Sequence, residues 1–190
     1  MRELTYYIGV TLDGFIAGPE DEVDFYPLTP AFEETLGTEL ADVQPTHVRA
    51  ARGGADAPVT RFDTVIMGRR TYEPALRFGI TDPYAQLRTL VCSTTLADPG
   101  EPNVEIVRTD PVRRVRELKA ESGLGIYLAG GAGLAGVLLD EIDRLIVKKY
   151  PVIAGSGIPM TRHGFAPTLF ALEEVRSFDN GCAVLSYSRP

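Results

Sequence analysis

Three short stretches of this sequence place anion-binding groups directly after an apolar run. In "TVIMGRRTYE" the run Thr64–Met67 meets Gly68, and Arg69, Arg70 and Thr71 then open a helical pattern. Two guanidinium groups and a hydroxyl at such a junction suit a phosphate, through charge-assisted hydrogen bonds and the free N–H groups of a helix start. In "TLVCSTT" the run ending at Cys92 is followed by Ser93, Thr94 and Thr95, a hydroxyl cluster that on its own reads as a cap. In "IYLAGGAGLAGVLL" the pair Gly130–Gly131 separates a strand-like run from a helical one that begins near Ala132. Without Cβ atoms this backbone can lie flat against a ligand while amide groups face a phosphate. Close packing of helix on strand through Gly133 and Gly136 explains the same glycines, and the stretch alone admits both readings.

Gly131, Gly133 and Gly136 also spell G-x-G-x-x-G. A dinucleotide fingerprint of that kind calls for an acid about twenty residues on, at the end of the next strand. Here "RLIVKKY" runs into Pro151 with no acid in that place, and the motif lies late in the chain rather than in a first βαβ unit. Both departures argue against a Rossmann site.

Eight strand-like runs are bounded by turn formers: Leu4–Thr11, Thr64–Met67, Thr89–Ser93, Val104–Val107, Ile126–Ala129, Arg144–Tyr150, Phe170–Phe178 and Cys182–Ser188. "TVIM", "TLVC" and "IYLA" have no polar face, as central strands covered on both sides do. Helical patterns fall at Pro30–Ala41, Arg70–Leu76, Pro111–Glu121 and Ala132–Asp140; in the third, Asp110 suits the N-cap, Pro111 the first turn, and Val112, Val115 and Leu118 form one stripe. Asp179–Gly181, "DNG", signals a hairpin joining the last two strands. The alternation predicts an α/β fold, a mostly parallel central sheet flanked by helices with a C-terminal antiparallel hairpin, in a single domain over residues 1–190. Asp42–Arg61 reads as a long surface loop. Strands whose C-terminal ends all carry phosphate-type groups point to one extended phosphorylated ligand at that sheet edge.

The chain has 26 acidic and 19 basic residues, a formal net charge of −7. That balance argues against nucleic acid or an anionic membrane surface as partner. Cys92 and Cys182 sit in apolar runs and read as buried free thiols; with no apolar leader in "MRELTYYIGV", a cytoplasmic location is expected. His47 and His163 lack companions at ligand spacing, so no metal site is expected.

The three junctions, in this order, resemble the dihydrofolate reductase superfamily. The closer resemblance is to the bacterial branch that contains the C-terminal reductase domain of the riboflavin-biosynthesis deaminase-reductase. "YYIGVTLDGFIAGPEDEVDF" is similar to that branch's opening strand and S-L-D-G-x-I-A loop, with Thr11 in place of Ser. "VIMGRRTYE" is similar to its G-R-[KRH]-T element, "LAGGAGLAGVLL" to its Gly-Gly element, and "PVIAGSGIP", Pro151–Pro159, to a strand-to-loop turn. The resemblance spans Thr5–Ser188. It implies NADPH as cofactor and hydride transfer to a small heterocyclic, ribosylaminopyrimidine or pterin-like substrate. It implies Gly68 among the cofactor-binding residues, Arg69 at the adenosine 2′-phosphate with help from Ser93 and Thr94, and Arg70 and Thr71 at the pyrophosphate. Gly130, Gly131 and Ala132 would pass beneath the pyrophosphate and nicotinamide ribose, with Val10 and Ala17 bordering the nicotinamide. A homodimer is common in such families, and "CAVLSY" would either contribute to its interface or complete the core. The chain lacks the H-x-E and P-C-x-x-C deaminase motifs.

For the chemistry itself, dihydrofolate reductases carry a carboxylate on the first helix; the corresponding place here is near Pro30, and Glu33 and Glu34, a turn later, read as solvated charges. Asp13 in "TLDGF" is the expected catalytic carboxylate, partly desolvated with a raised pKa, against the alternative of a plain Asp-Gly turn. Asp24 has a weaker claim, and Phe25 stands where this branch often has tryptophan. Arg162 and His163 follow a glycine turn and are placed to reach substrate. Alternation along "RLIVKKY" exposes at least one of Lys148 and Lys149. An NADP(H)-binding protein of the same fold without turnover is the alternative function.

Overall fold

The runs that are apolar on both sides become the middle of one eight-stranded sheet, because only a position covered by helices on two faces buries them completely. A computed structural model describes all 190 residues, Met1–Pro190. In chain order the elements are β1 (Leu4–Val10), β2 (Phe15–Ala17), α1 (Pro30–Glu39), α2 (Thr46–Ala51), β3 (Phe62–Gly68), α3 (Arg69–Leu76), β4 (Arg88–Cys92), β5 (Val104–Val107), α4 (Pro111–Ala120), β6 (Gly125–Gly130), α5 (Ala132–Val137), β7 (Arg144–Lys149), β8 (Ile158–Pro159), β9 (Ala171–Ser177) and β10 (Ala183–Ser188). The sheet order is β5-β4-β3-β6-β1-β7-β10-β9. The first six strands in this order run parallel, and β10 is antiparallel to both β7 and β9. β2 and β8 form a separate two-stranded antiparallel ladder.

One apolar layer lies on each face. Phe32, Leu36, Val65, Tyr72, Val91 and Tyr127 belong to the layer under α1 and α3; Leu4, Tyr6, Ile66, Leu90, Leu118, Leu128 and Leu138 belong to the other. Each fully buried side chain of this kind contributes roughly 1.5–3 kcal/mol. α4 forms as its sequence dictates: the Asp110 side chain accepts from Arg113 N at 2.9 Å, Pro111 occupies the first turn, and Val115 and Leu118 are buried.

Two features differ from expectation. The stretch 42–61 is not a plain loop, since it carries a 3-10 turn at Ala41–Val43 and the helix α2. Asp42 organises it, with Oδ2 accepting from the backbone N–H groups of Thr60, Arg61 and Phe62 at 2.9, 2.6 and 3.0 Å. The buried Arg49 donates to the carbonyls of Ala41 and Ala57. Second, the glycine helix stops at Val137 and passes into a 3-10 turn, Leu139–Glu141. As one of the two readings of "CAVLSY" has it, β10 lies inside the sheet with Cys182 and Val184 buried, and β9 forms the open edge. Cys92 and Cys182 are free thiols. No helix is long and apolar enough to cross a membrane.

The feature that creates a site is the parting of two neighbours. β1 pairs with β6 only from Leu4 to Tyr6, opposite Ile126 to Leu128. Beyond that point β1 continues with β7 as far as Val10, while β6 stays with β3 as far as Gly130. The C-terminal halves of β1 and β6 therefore open a crevice at the place where the chain has switched direction across the sheet, the usual ligand position in open α/β sheets.

Candidate functional site

A cleft of about 530 Å³ occupies this crevice. It is lined by Ile8, Ile16, Ala17, Asp21, Gly68, Arg69, Arg70, Thr71, Gly131, Ala132, Gly133 and Arg162, among others. The structure thus brings together seven of the expected cofactor residues: Ala17, Gly68, Arg69, Arg70, Thr71, Gly131 and Ala132. Gly68 is the N-cap of α3 in extended conformation, so Arg69, Arg70 and Thr71 form the first helical turn at the cleft wall. The side chains of Arg69 and Arg70 are 46% and 58% exposed, leaving both guanidinium groups reachable by a ligand.

Arg69 Nε donates to Glu73 Oε1 at 2.6 Å, and its Nη1 donates to Thr95 Oγ1 at 2.6 Å. The hydroxyl beside Arg69 is therefore that of Thr95, not of Ser93 or Thr94. Ser93 Oγ is occupied as a turn cap, accepting from Thr95 N and Leu96 N, and Thr94 makes no contact with Arg69. Arg70 donates twice to Asp21 Oδ2, which lies in the loop after β2; this pairing raises the Arg70 pKa.

The glycines divide their labour. A Cβ on Gly131 would lie 3.6 Å from Thr71 Oγ1, narrowing the passage between α3 and the β6 end, and Gly130 has φ +112. Gly133 faces open space, with nothing within 4 Å of a Cβ. Gly136 is a packing joint, because a Cβ there would fall 1.9 Å from the Arg162 carbonyl oxygen. Cradle and joint are thus both present, at different glycines. That joint, with Arg162 N donating to Ala132 O at 2.9 Å, brings the Arg162 side chain to the cleft. Arg162, expected from its place after the glycine turn to reach substrate, has no ion-pair partner and adds a third cation to the cleft.

Val10 does not line the cleft; it is 2% exposed, and Ile8, one step earlier on the same strand face, takes the position together with Ile16. The larger correction is Asp13. Its carboxylate accepts from Thr11 Oγ1 at 2.6 Å, from Ala154 N at 3.1 Å and from Gly155 N at 2.7 Å. These donors, the Thr11 hydroxyl foremost, lower its pKa to about 2, opposite to the expected rise. It is exposed and engaged in fastening the 11–15 turn to the 152–155 turn, and neither its contacts nor the direction in which its pKa moves supports the expected role of proton donor. Gly14, at φ +90, makes the accompanying tight turn.

A second pocket, of about 330 Å³, lies on the other face of β1. Tyr7, Phe32, Glu33, Tyr127, Lys148 and Tyr150 are among its lining. Glu33 is half-buried on its wall, whereas Glu34 is exposed as expected. Ile8 lines the cleft and its neighbour Tyr7 lines this pocket, since successive strand residues face opposite sides.

Comparison with known proteins agrees with this geometry. The family model of the RibD C-terminal domain matches residues 2–184. YwjB, an uncharacterised protein of Bacillus subtilis strain 168, is 28% identical over 179 residues, covering 93% of this chain and 92% of its own. A candidate riboflavin biosynthesis protein from Shewanella sp. PV-4 superposes with a TM-score of 0.74 at 21% identity over 99% of both chains. A diaminohydroxyphosphoribosylaminopyrimidine deaminase/5-amino-6-(5-phosphoribosylamino)uracil reductase from Thermotoga maritima superposes with a TM-score of 0.65 at 15% identity; it covers all of this chain, which spans 57% of that protein. With its parallel sheet parted between the first and sixth strands, its glycine pair and its arginine-led helix, this chain belongs to the RibD C-terminal domain family of reductase domains.

Proposed function

We propose that the protein is an NADPH-dependent reductase of a small heterocyclic acceptor, of ribosylaminopyrimidine or pterin type. The observation that carries this reading is the convergence of Arg69, Arg70, Thr71 and Arg162 on one glycine-floored cleft in a chain of net charge −7. The residues fit a pyridine dinucleotide: the open space at Gly133 and the narrow passage at Gly131 leave room for a backbone-hugging diphosphate. Arg69 with Thr95 suits a dianionic 2′-phosphate, which NADH lacks. Arg70, Thr71 and Arg162 would hold the diphosphate, and Ile8, Ile16 and Ala17 offer an apolar wall to the nicotinamide ring.

When bound, the dinucleotide supplies a hydride. The chain's own part is to align donor and acceptor and to exclude water. The aromatic pocket behind Tyr7 suits a flat heterocycle, and the Thermotoga relative is named for reducing one. Fluorescence titration with NADPH and NADH tests the cofactor; equal affinity for the two, or none, overturns it. NADPH oxidation with 5-amino-6-(5-phosphoribosylamino)uracil, a dihydropterin, a quinone and small carbonyls tests the acceptor.

A binding protein without turnover is the second reading. It is favoured by one observation: Asp13 is committed to a loop clamp, and the start of α1, Pro30–Ala31, has no carboxylate. NADPH binding with no oxidation across that panel would establish it.

A further inference from the structure

The protein has three lysines, and two of them have fixed partners. Lys119 Nζ donates to Glu141 O and lies 2.7 Å from Asp143 Oδ2. Lys149 Nζ donates to Leu12 O at 2.9 Å. Lys148 has neither a hydrogen-bond acceptor nor a carboxylate within ion-pair distance; its ammonium stands 4.5 Å from the centroid of the Tyr7 ring, on the wall of the aromatic pocket. Gly9, its register partner on β1, lets the Tyr150 ring and the Lys148 stem close over the strand: a Cβ there would come 2.9 Å from the Tyr150 ring and 3.7 Å from Lys148 Cε.

The groups that face this ammonium come from every packed element: Tyr7 from β1, Glu33 from α1, Arg52 after α2, Tyr84 before β4, Tyr127 from β6, Tyr150 after β7 and Cys182 before β10. Burial raises the pKa values of all four tyrosines and of Cys182, so none of them yields a proton near neutrality. Desolvation moves Lys148 the other way, down to about 8, because an aromatic wall penalises the charged form. The Tyr7 π face is the only close favourable partner of this cation, so its three N–H groups stay free to donate to a molecule in the pocket.

We propose that Lys148 is a catalytic residue, the proton donor to the acceptor bound against Tyr7. The proposal rests on the reductase reading above. As the carbon of a C=N or C=O group in the acceptor takes hydride from the reduced dinucleotide, the π pair moves to the heteroatom. One N–H bond of Lys148 breaks and its proton bonds to that heteroatom, leaving an amine or alcohol, the oxidised dinucleotide and a neutral Lys148 that water re-protonates. The substrate class follows from the walls: a planar heterocycle conjugated to an imine or carbonyl, stacked between aromatic rings.

Two measurements test it. Trace acetylation with acetic anhydride across the neutral to alkaline range, read by peptide mass spectrometry, needs no acceptor. Lys148 should become reactive with a midpoint near 8, ahead of Lys119 and Lys149. A Lys148 that resists acetylation, or reacts only with them, overturns the proposal. Among the panel acceptors, the one that wild type reduces should lose turnover by a factor on the order of 10² in Lys148→Met, with NADPH affinity unchanged. Lys148→Arg should keep the acceptor KM but not the rate, since a guanidinium does not give up its proton. The wild-type rate should fall as pH rises through about 8, a limb that Glu33→Gln keeps and Lys148→Met loses. Loss of that limb in Glu33→Gln alone, or a wild type that binds NADPH and reduces no panel member, overturns the donor role. Failure of NADPH to bind instead overturns the cofactor assignment, which the acetylation result does not touch.

Discussion

Asp21 and Arg70 are joined across the mouth of the cleft, with Arg70 Nη2 and Nε donating to one carboxylate oxygen at 2.8 and 3.2 Å. Asp21 sits at φ +70, so the loop after β2 turns sharply to deliver this carboxylate. A phosphate arriving at Arg70 meets a group of its own charge already in place. Removing it with Asp21→Ala should tighten NADPH binding by up to about fivefold, the range of an exposed ion pair. Unchanged or weaker binding in a fluorescence titration would show that Arg70 does not receive the phosphate.

Arg69→Ala should weaken NADPH binding by about 10- to 100-fold and leave NADH binding almost unaltered, the effect of losing charge-assisted bonds to one phosphate. Thr95→Val should act in the same direction and more weakly, and Ser93→Ala should not act on affinity at all, because Ser93 caps its own turn. The three titrations together decide which hydroxyl serves the arginine.

Asp13 gives a pH signature. Its folded pKa, about 2, lies below that of the unfolded chain, so its contribution to stability is complete above the ordinary aspartate range and is lost as pH falls through that range toward 2. Thermal unfolding at falling pH should show a smaller loss in Asp13→Asn than in wild type, from a lower starting value at neutral pH. Parallel curves would mean that the clamp to Ala154 and Gly155 does not hold in solution.

Gly133 and Gly136 should respond oppositely to the same change. Gly133→Ala places a methyl in open space within a helix and should stabilise by about 0.5–1 kcal/mol. Gly136→Ala drives a methyl into the Arg162 carbonyl and should destabilise despite the gain in helix propensity. Equal melting temperatures for the two variants would contradict the joint.

Lys148→Met should raise stability at neutral pH while it lowers turnover. The native pKa lies below that of an unfolded lysine, so the folded charge is penalised at low pH, and the penalty begins to fade at about 8 and is gone only above the ordinary lysine value of 10.5. Denaturant midpoints of variant and wild type should therefore converge in alkaline buffer.

Parts of this molecule were legible in its sequence because they are local. "TVIM", "TLVC" and "IYLA" declare buried strands by having no polar side, and Asp110–Pro111 declares a helix start by its own cap. Other parts depend on distant partners. α2 is held by Asp42 and Arg49 reaching eight to twenty residues away, so no periodicity marks it. The β2–β8 ladder joins residues far apart with only a few backbone bonds. At the site, Arg69, Arg70, the Ser93–Thr95 hydroxyls and Arg162 were visible after strand ends or a glycine turn, whereas the choice of Thr95 among the hydroxyls and the arrival of Asp21 and Lys148 depend on turn geometry and packing. Asp13 was visible as a residue but not as a clamp, because the backbone N–H groups it fastens lie about 140 positions on.

The crevice beside β1 also bears on how such proteins diverge. Tyr7 and Ile8 are consecutive, yet one lines the pocket walled chiefly by α1, α2 and β7 and the other the cleft walled by α3, α5 and the Arg162 segment. Gly9, next on the strand, carries no side chain. On the proposed reaction, acceptor and dinucleotide must meet in the gap beyond Tyr6, where β1 has left β6. Substitutions in the outer wall of either pocket can accumulate without touching that gap. On this reading a lineage can exchange its substrate while its coenzyme hall stays furnished as before, provided residue 9 remains small.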